Sequence, residues 1–143
     1  MITNFEEERK VIEQRFRNNF DTVACPLQYE NTTALKQGSD TIKDYKGLDK
    51  WVRLQILQAS AEQVDIGGVQ DRYRGIIQVS IFTKEGLGSN LSRKIADQVI
   101  PIFNRQVFEG IVCRTSNLAN VAPLNGWTQL VVSTEYYRDQ PNG

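Results

Sequence analysis

The sequence predicts an α+β fold: a single domain, residues 1–143, in which a mixed, mainly antiparallel β-sheet packs against two main α-helices. Three observations carry that reading. Apolar and polar residues alternate in Trp51–Gln58 and Arg74–Thr83, where side chains two apart share one face of a strand, and Trp127–Tyr137 reads as a further strand. Through Phe5–Phe20 and Leu91–Phe103 the apolar residues recur instead at three- and four-residue spacing, the stripe of an amphipathic helix. Between Thr83 and Leu91 the turn Lys84-Glu-Gly-Leu-Gly-Ser-Asn90 converts one period into the other. A strand that turns through glycines into a helix packed back on the sheet is the smallest unit that buries both apolar faces.

The first helix opens with Thr3-x-x-Glu6, which fits a capping box satisfying the first unpaired amides. Glu6, Glu7 and Glu8 then lie at the positive end of the helix dipole, and Arg15 and Arg17 nearer its negative end. Glu6–Lys10 and Glu13–Arg17 are spaced as i,i+4 ion pairs. Phe5, Ile12, Phe16 and Phe20 form the predicted buried stripe, which makes the charge run a solvated helix face.

Pro26-Leu-Gln-Tyr-Glu-Asn31 reads as a short extended segment, with Pro26 at its start because proline has no amide to donate. Residues 32–50 are polar, contain Gly38 and Gly47, and show no clear period, so they read as a long flexible loop, either a binding segment or a surface loop with no task. Val52, Leu54 and Ile56 then share one strand face, with Trp51 and Arg53 on the other. Ala59–Asp71 reads as a polar connection, so that the strands on either side form an antiparallel pair with a long projection.

Ser89 or Asn90 is the expected N-cap of the second helix. Pro101 predicts a kink or an early end to it, because it removes one backbone hydrogen bond and crowds the carbonyl of Asp97. Gly110–Cys113 and Trp127–Tyr137 are the last strands, linked by Leu118–Asn125 with Pro123 and Asn125-Gly126 as turn signals. Residues 138–143 read as a polar tail.

Composition narrows the function. A chain of 143 residues buries roughly two-thirds of its unfolded surface and needs neither metal nor disulfide to hold a core. Cys25 and Cys113 sit among apolar residues and read as buried free thiols. Lys+Arg and Asp+Glu are 17 each, without the basic excess of a typical nucleic-acid binder. No apolar run approaches the about 18 residues that span a membrane, and Met1–Phe5 leads straight into charge rather than into a signal peptide.

Histidine is absent, which removes the commonest general base, the Ser-His and Cys-His pairs, and histidine metal sites. The separated cysteines have no zinc spacing. Gly86-Leu-Gly-Ser-Asn90 lacks the lysine of a P-loop and the third glycine of a dinucleotide fingerprint, and reads as a tight turn before a helix. The inventory predicts no enzyme and no cofactor. Charged residues of the polar stretches are instead candidates for protein–protein contact: Lys36, Asp40, Lys43, Asp44, Lys46, Asp65, Arg72 and Arg74. Arg72, Tyr73 and Arg74 also form a small basic-aromatic cluster.

Taken in order, these pieces resemble the tail terminator (tail completion, minor tail protein U-like) family of long-tailed bacteriophages. The resemblance lies in the amphipathic N-terminal helix, Pro26–Asn31, Trp51-Val-Arg53, Gly75–Phe82, the glycine turn, Ala96-Asp97 through Ile102-Phe103, and Gly126-Trp127 before the last strand. It spans roughly residues 3 to 138 and rests on order and spacing rather than on one motif. It implies a virion protein, assembled in the bacterial cytoplasm, that forms a homohexameric ring on the head-proximal end of the tail. Its implied partners are copies of itself, the tail tube protein and a head–tail connector or stopper, with DNA only passing through the ring. The neighbouring readings are a connector or stopper, a tube subunit, or a small enzyme or anion-binding module that uses the Gly86–Asn90 turn.

Overall fold

The computed structural model describes residues 2–64 and 67–141. Its spine is β5 (Gln70–Lys84), paired along its whole length with β4 (Lys50–Gln63) on one side and β8 (Trp127–Pro141) on the other. The helices are α1 (Phe5–Asn19) and α2 (Ser89–Phe103), and the shorter strands are β1 (Leu27–Tyr29), β2 (Leu35–Gln37), β3 (Asp40–Ile42) and β6 (Val107–Phe108). With β7 (Ile111–Leu124) they complete one eight-stranded sheet in the order β3-β2-β1-β4-β5-β8-β7-β6. Among the described strands only β1 and β4 run parallel. This is the α+β class the periodicities predict, with a sheet more extended than they show.

Alternation decides what each face carries. Val52 stands opposite Ile81, Leu54 opposite Val79 and Ile56 opposite Ile77, and the row continues into Leu130, Val132 and Thr134 of β8. Both helices cover this face. Ile12 and Phe16 of α1 and Ile95, Val99 and Phe103 of α2 close a single apolar core over it. The stacked rings of Phe16 and Phe103, 6.1 Å apart, join the two helices. The opposite face is polar over its middle and carries a smaller aromatic cluster at one end: Trp51, Phe82 and Trp127 around Leu35.

Several local readings are corrected. The first helix is capped by Asn4, whose Oδ1 accepts from the Glu7 amide at 2.8 Å, one residue later than the capping box places it. Asparagine is the stronger cap of the two candidates. The register that follows turns Glu8 inward, four residues before Ile12 and eight before Phe16, while Phe5 stays about half exposed at 48%. Arg9, rather than Lys10 or Arg17, takes the helix ion pairs, to Glu6 and Glu13. At α2 the cap is Gly88 and no side chain bonds to the first amides, because the left-handed turn at Gly88 already places Ser89 inside the helix. The helix ends at Phe103, two residues after Pro101.

The polar stretches are more ordered than their composition suggests. Residues 32–50 contain the β2–β3 hairpin, and Leu35 is fully buried against the aromatic cluster. β4 and β5 run on as a paired ribbon through most of 59–71, with a bulge between Gln58 and Ser60. β7 continues through 118–124 to a two-residue turn at Asn125-Gly126, both in the left-handed region (φ 50° and 85°) as a type I′ hairpin requires. The predicted tail forms the end of β8 as far as Pro141, paired to Gln70. In each case the backbone finds partners where neither sheet face has an apolar stripe to reveal the strand.

Candidate assembly surface

The charged candidates separate into two groups at opposite ends of the sheet. Lys36, Asp40, Lys43, Asp44 and Lys46 belong to the β2–β3 hairpin and the turn after it, at the end where Lys50 pairs with Thr83. Lys36 Nζ donates to Thr41 Oγ1 across the hairpin at 2.8 Å, and Asp44 Oδ1 accepts the Lys46 amide at 2.9 Å, fixing the next turn. Asp40 stands opposite Gln37 in the hairpin register. Tyr45 in that turn lies against Trp51 and Trp127, with ring centroids 5.3 and 6.0 Å away. The charged turn is therefore seated by an aromatic anchor. Together with Arg53 and Phe82 these rings border an open pocket of about 200 Å³.

Arg72 and Arg74 lie toward the far end of β5, about 35 Å away along a fully extended strand. Both project from the helix-free face. Arg72 Nε donates to Asp139 Oδ1 at 2.8 Å and its Nη2 to Oδ2 at 3.1 Å, while the guanidinium lies 4.1 Å from the Tyr137 ring centroid. Arg74 donates through Nε and Nη2 to Glu62 Oε1, at 3.1 and 2.6 Å. The hydrogen bond from Arg72 holds the Asp139 carboxyl below the usual carboxylate range. Tyr73 points the other way, toward α1, so the basic-aromatic cluster read from sequence is split between two faces. Asp65 lies outside the described residues.

Beneath α1 the structure places a group that charge patterning misassigns. Arg138 and Glu8 are each 1% exposed, with Nε to Oε1 at 2.7 Å. Gln58 Nε2 donates to the other Glu8 oxygen at 2.6 Å, and Arg138 Nη1 donates to Gln140 Oε1 at 2.7 Å. The guanidinium lies about 5 Å from the Phe5 and Tyr73 centroids, 5.1 and 5.0 Å respectively. This buried pair ties the first helix to the last strand. One sequence signal marks it: Glu8 falls on the same helical stripe as Ile12 and Phe16.

Burial pushes the thiols of Cys25 and Cys113 up to about 12, so both are protonated at neutral pH and neither is a ready nucleophile. Among the described residues no cluster of three or more Cys, Asp or Glu is placed to hold a metal ion. Among the described residues no helix is long and apolar enough to cross a membrane.

A solved structure aligns with 94% of this chain and 97% of its own length, at 18% identity and a TM-score of 0.59. At that identity the likeness is one of fold. No curated protein sequence matches the chain. The model of the phage tail terminator protein family matches residues 9–135, from the first helix to the last strand. The chain belongs to the phage tail terminator protein family and is a structural component of a phage tail.

Proposed function

We propose that this subunit closes into a homohexameric ring on the head-proximal end of the tail tube, halts tube growth there and offers its outer surface to the head connector. The observation that supports this most is the unlikeness of the two ends of the sheet. One end carries the charged turn with Lys43, Asp44 and Lys46, seated on Trp51 and Trp127. The other carries the ribbon whose arginines are already neutralised by Glu62 and Asp139. A capping ring meets two different neighbours along its axis, tube on one side and connector on the other, and needs two different surfaces. It also closes by head-to-tail contacts, which require two further unlike patches around its rim. The function is non-catalytic, with no cofactor, and DNA passes through the lumen without specific binding.

The test is to add the purified protein to polymerising tube subunits. Shorter tubes capped at one end are expected, and the charge reversal Asp44→Lys is expected to weaken capping while leaving the monomer folded. Incorporation along the whole tube would identify a tube subunit instead. Tubes unaffected in length and ends would refute the proposal.

A further inference from the structure

We infer that neighbouring copies join edge to edge, the outer side of β7 in one pairing antiparallel with the outer side of β4 in the next. β1 covers β4 only as far as Leu54, and the Glu30 carboxylate takes the Ile56 amide. From Leu57 to Glu62 no described strand lies outside β4, and all six residues are exposed. On the other side β6 and the chain before it cover β7 only as far as Ser116, whose amide donates to Asn104 Oδ1. From Asn117 to Leu124 no described strand lies outside β7, and every residue is again exposed.

Such edges are templates for another strand, and folded proteins normally blunt them with lysines or other charges. Here the charges are sparse, and the edges carry instead one bulge each, between Gln58 and Ser60 in β4 and between Val121 and Leu124 in β7. In a chain that is 24% charged, residues 117–124 carry no charge, with Pro123 close to the turn, and 57–62 carry only Glu62, already bound by Arg74. Leu57, Leu118, Val121 and Leu124 are 40–58% exposed on these same segments.

Three features make a second copy the occupant. The strands β4, β5, β8 and β7 alternate in direction, so β7 is antiparallel to the β4 of an identically oriented neighbour. The open segments are also similar in length, and they lie on opposite sides of the sheet, which suits a head-to-tail contact. Finally, they are displaced along the strands: Ser60 is level with Arg74, and Asn120, through Leu130, with Ile81. Joining them slides each copy by roughly seven residues, about 23 Å, across four strands about 19 Å wide, a tilt of about 50°. Closed barrels have tilts of about 35–45°, so the displacement is close to what a closed ring of strands needs.

This interface rests on the ring reading above, and the experiment separates the two. Ser60→Cys is combined with Ala119→Cys, Asn120→Cys or Val121→Cys, and oxidised in rings imaged alone or on tube ends. At least one pair is expected to give a ladder of cross-linked multimers up to the full ring, whereas each single variant gives none. The native thiols are buried and do not contribute. Ala61→Lys and Ala119→Lys are expected to keep the monomer's circular dichroism and to lower the ring population about tenfold or more, equivalent to about 1.4 kcal/mol. Rings that never cross-link in any register, or single variants that dimerise, would overturn the edge pairing and leave the terminator function standing. Absence of rings under both conditions would remove both.

Discussion

The two faces of the sheet are built on opposite principles. The helix-covered face is closed by apolar side chains from both helices and by a fully desolvated ion pair, Glu8–Arg138. The opposite face carries ion pairs of the same chemical kind, Arg72–Asp139 and Arg74–Glu62, with side chains 28–51% exposed. Its apolar cluster around Trp51 and Trp127 is roofed by a turn rather than a helix. Equal chemistry in unequal surroundings has unequal consequences. A charge inside a low-dielectric core is costly once its partner is removed, and a charge beside water is hardly affected. The first face therefore holds the fold, and the ion pairs of the second lie beside solvent.

The largest effect is expected from Glu8→Ala, which leaves Arg138 buried without its carboxylate. Urea unfolding should show a loss of about 3–5 kcal/mol, and the double variant Glu8→Leu/Arg138→Met should recover much of it. A loss below about 1 kcal/mol would erase the distinction between the faces. Next comes Trp127→Ala on the helix-free face, expected to cost about 3 kcal/mol because a large buried ring leaves a cavity that only a turn can collapse into. Its added signature is release of Tyr45, read as a change in near-ultraviolet circular dichroism.

Smaller again is Arg72→Ala, expected to cost under about 1 kcal/mol and to lose even that at high salt. The same pair sets a pH dependence. The Asp139 carboxyl is held below its unfolded value by Arg72, so its contribution is present above about pH 4 and is lost as the pH falls through the lower folded value. Arg72→Ala should flatten acid unfolding slightly in that range. The finest comparison uses thiols. At pH 8 alkylation of Cys25 and Cys113 should lag far behind that of an added Ser133→Cys on the helix-free face, and all three should react alike in denaturant.

Where an element buries one stripe, the sequence shows it plainly. Ile77, Val79 and Ile81 mark β5, Ile95 and Val99 mark α2, and Asn125-Gly126 marks the hairpin turn. Where a strand is exposed on both faces, periodicity has nothing to register. That is why 59–63 and 118–124 read as connections although each is paired, whereas 138–141 reads as a tail because its one buried side chain is the charged Arg138. β2 and β3 are hidden for a different reason: three residues are too few for alternation to show, and only Leu35 is buried. The candidate contacts in 36–46 are legible as charged residues in a polar segment, but their seat on Trp51 and Trp127 depends on long-range register. Glu8 is the instructive miss. Its charge suggests solvent, its position on the helix points to the core, and the position decides because Arg138 is there to meet it.

The most direct measurement is the mass of the purified protein by light scattering across concentration, with negative-stain images of the same sample, repeated in the presence of tube subunits. The account predicts closed six-fold rings, free in solution or seated on tube ends. Open filaments of this protein, or monomers in both conditions that leave tube ends bare, would contradict it.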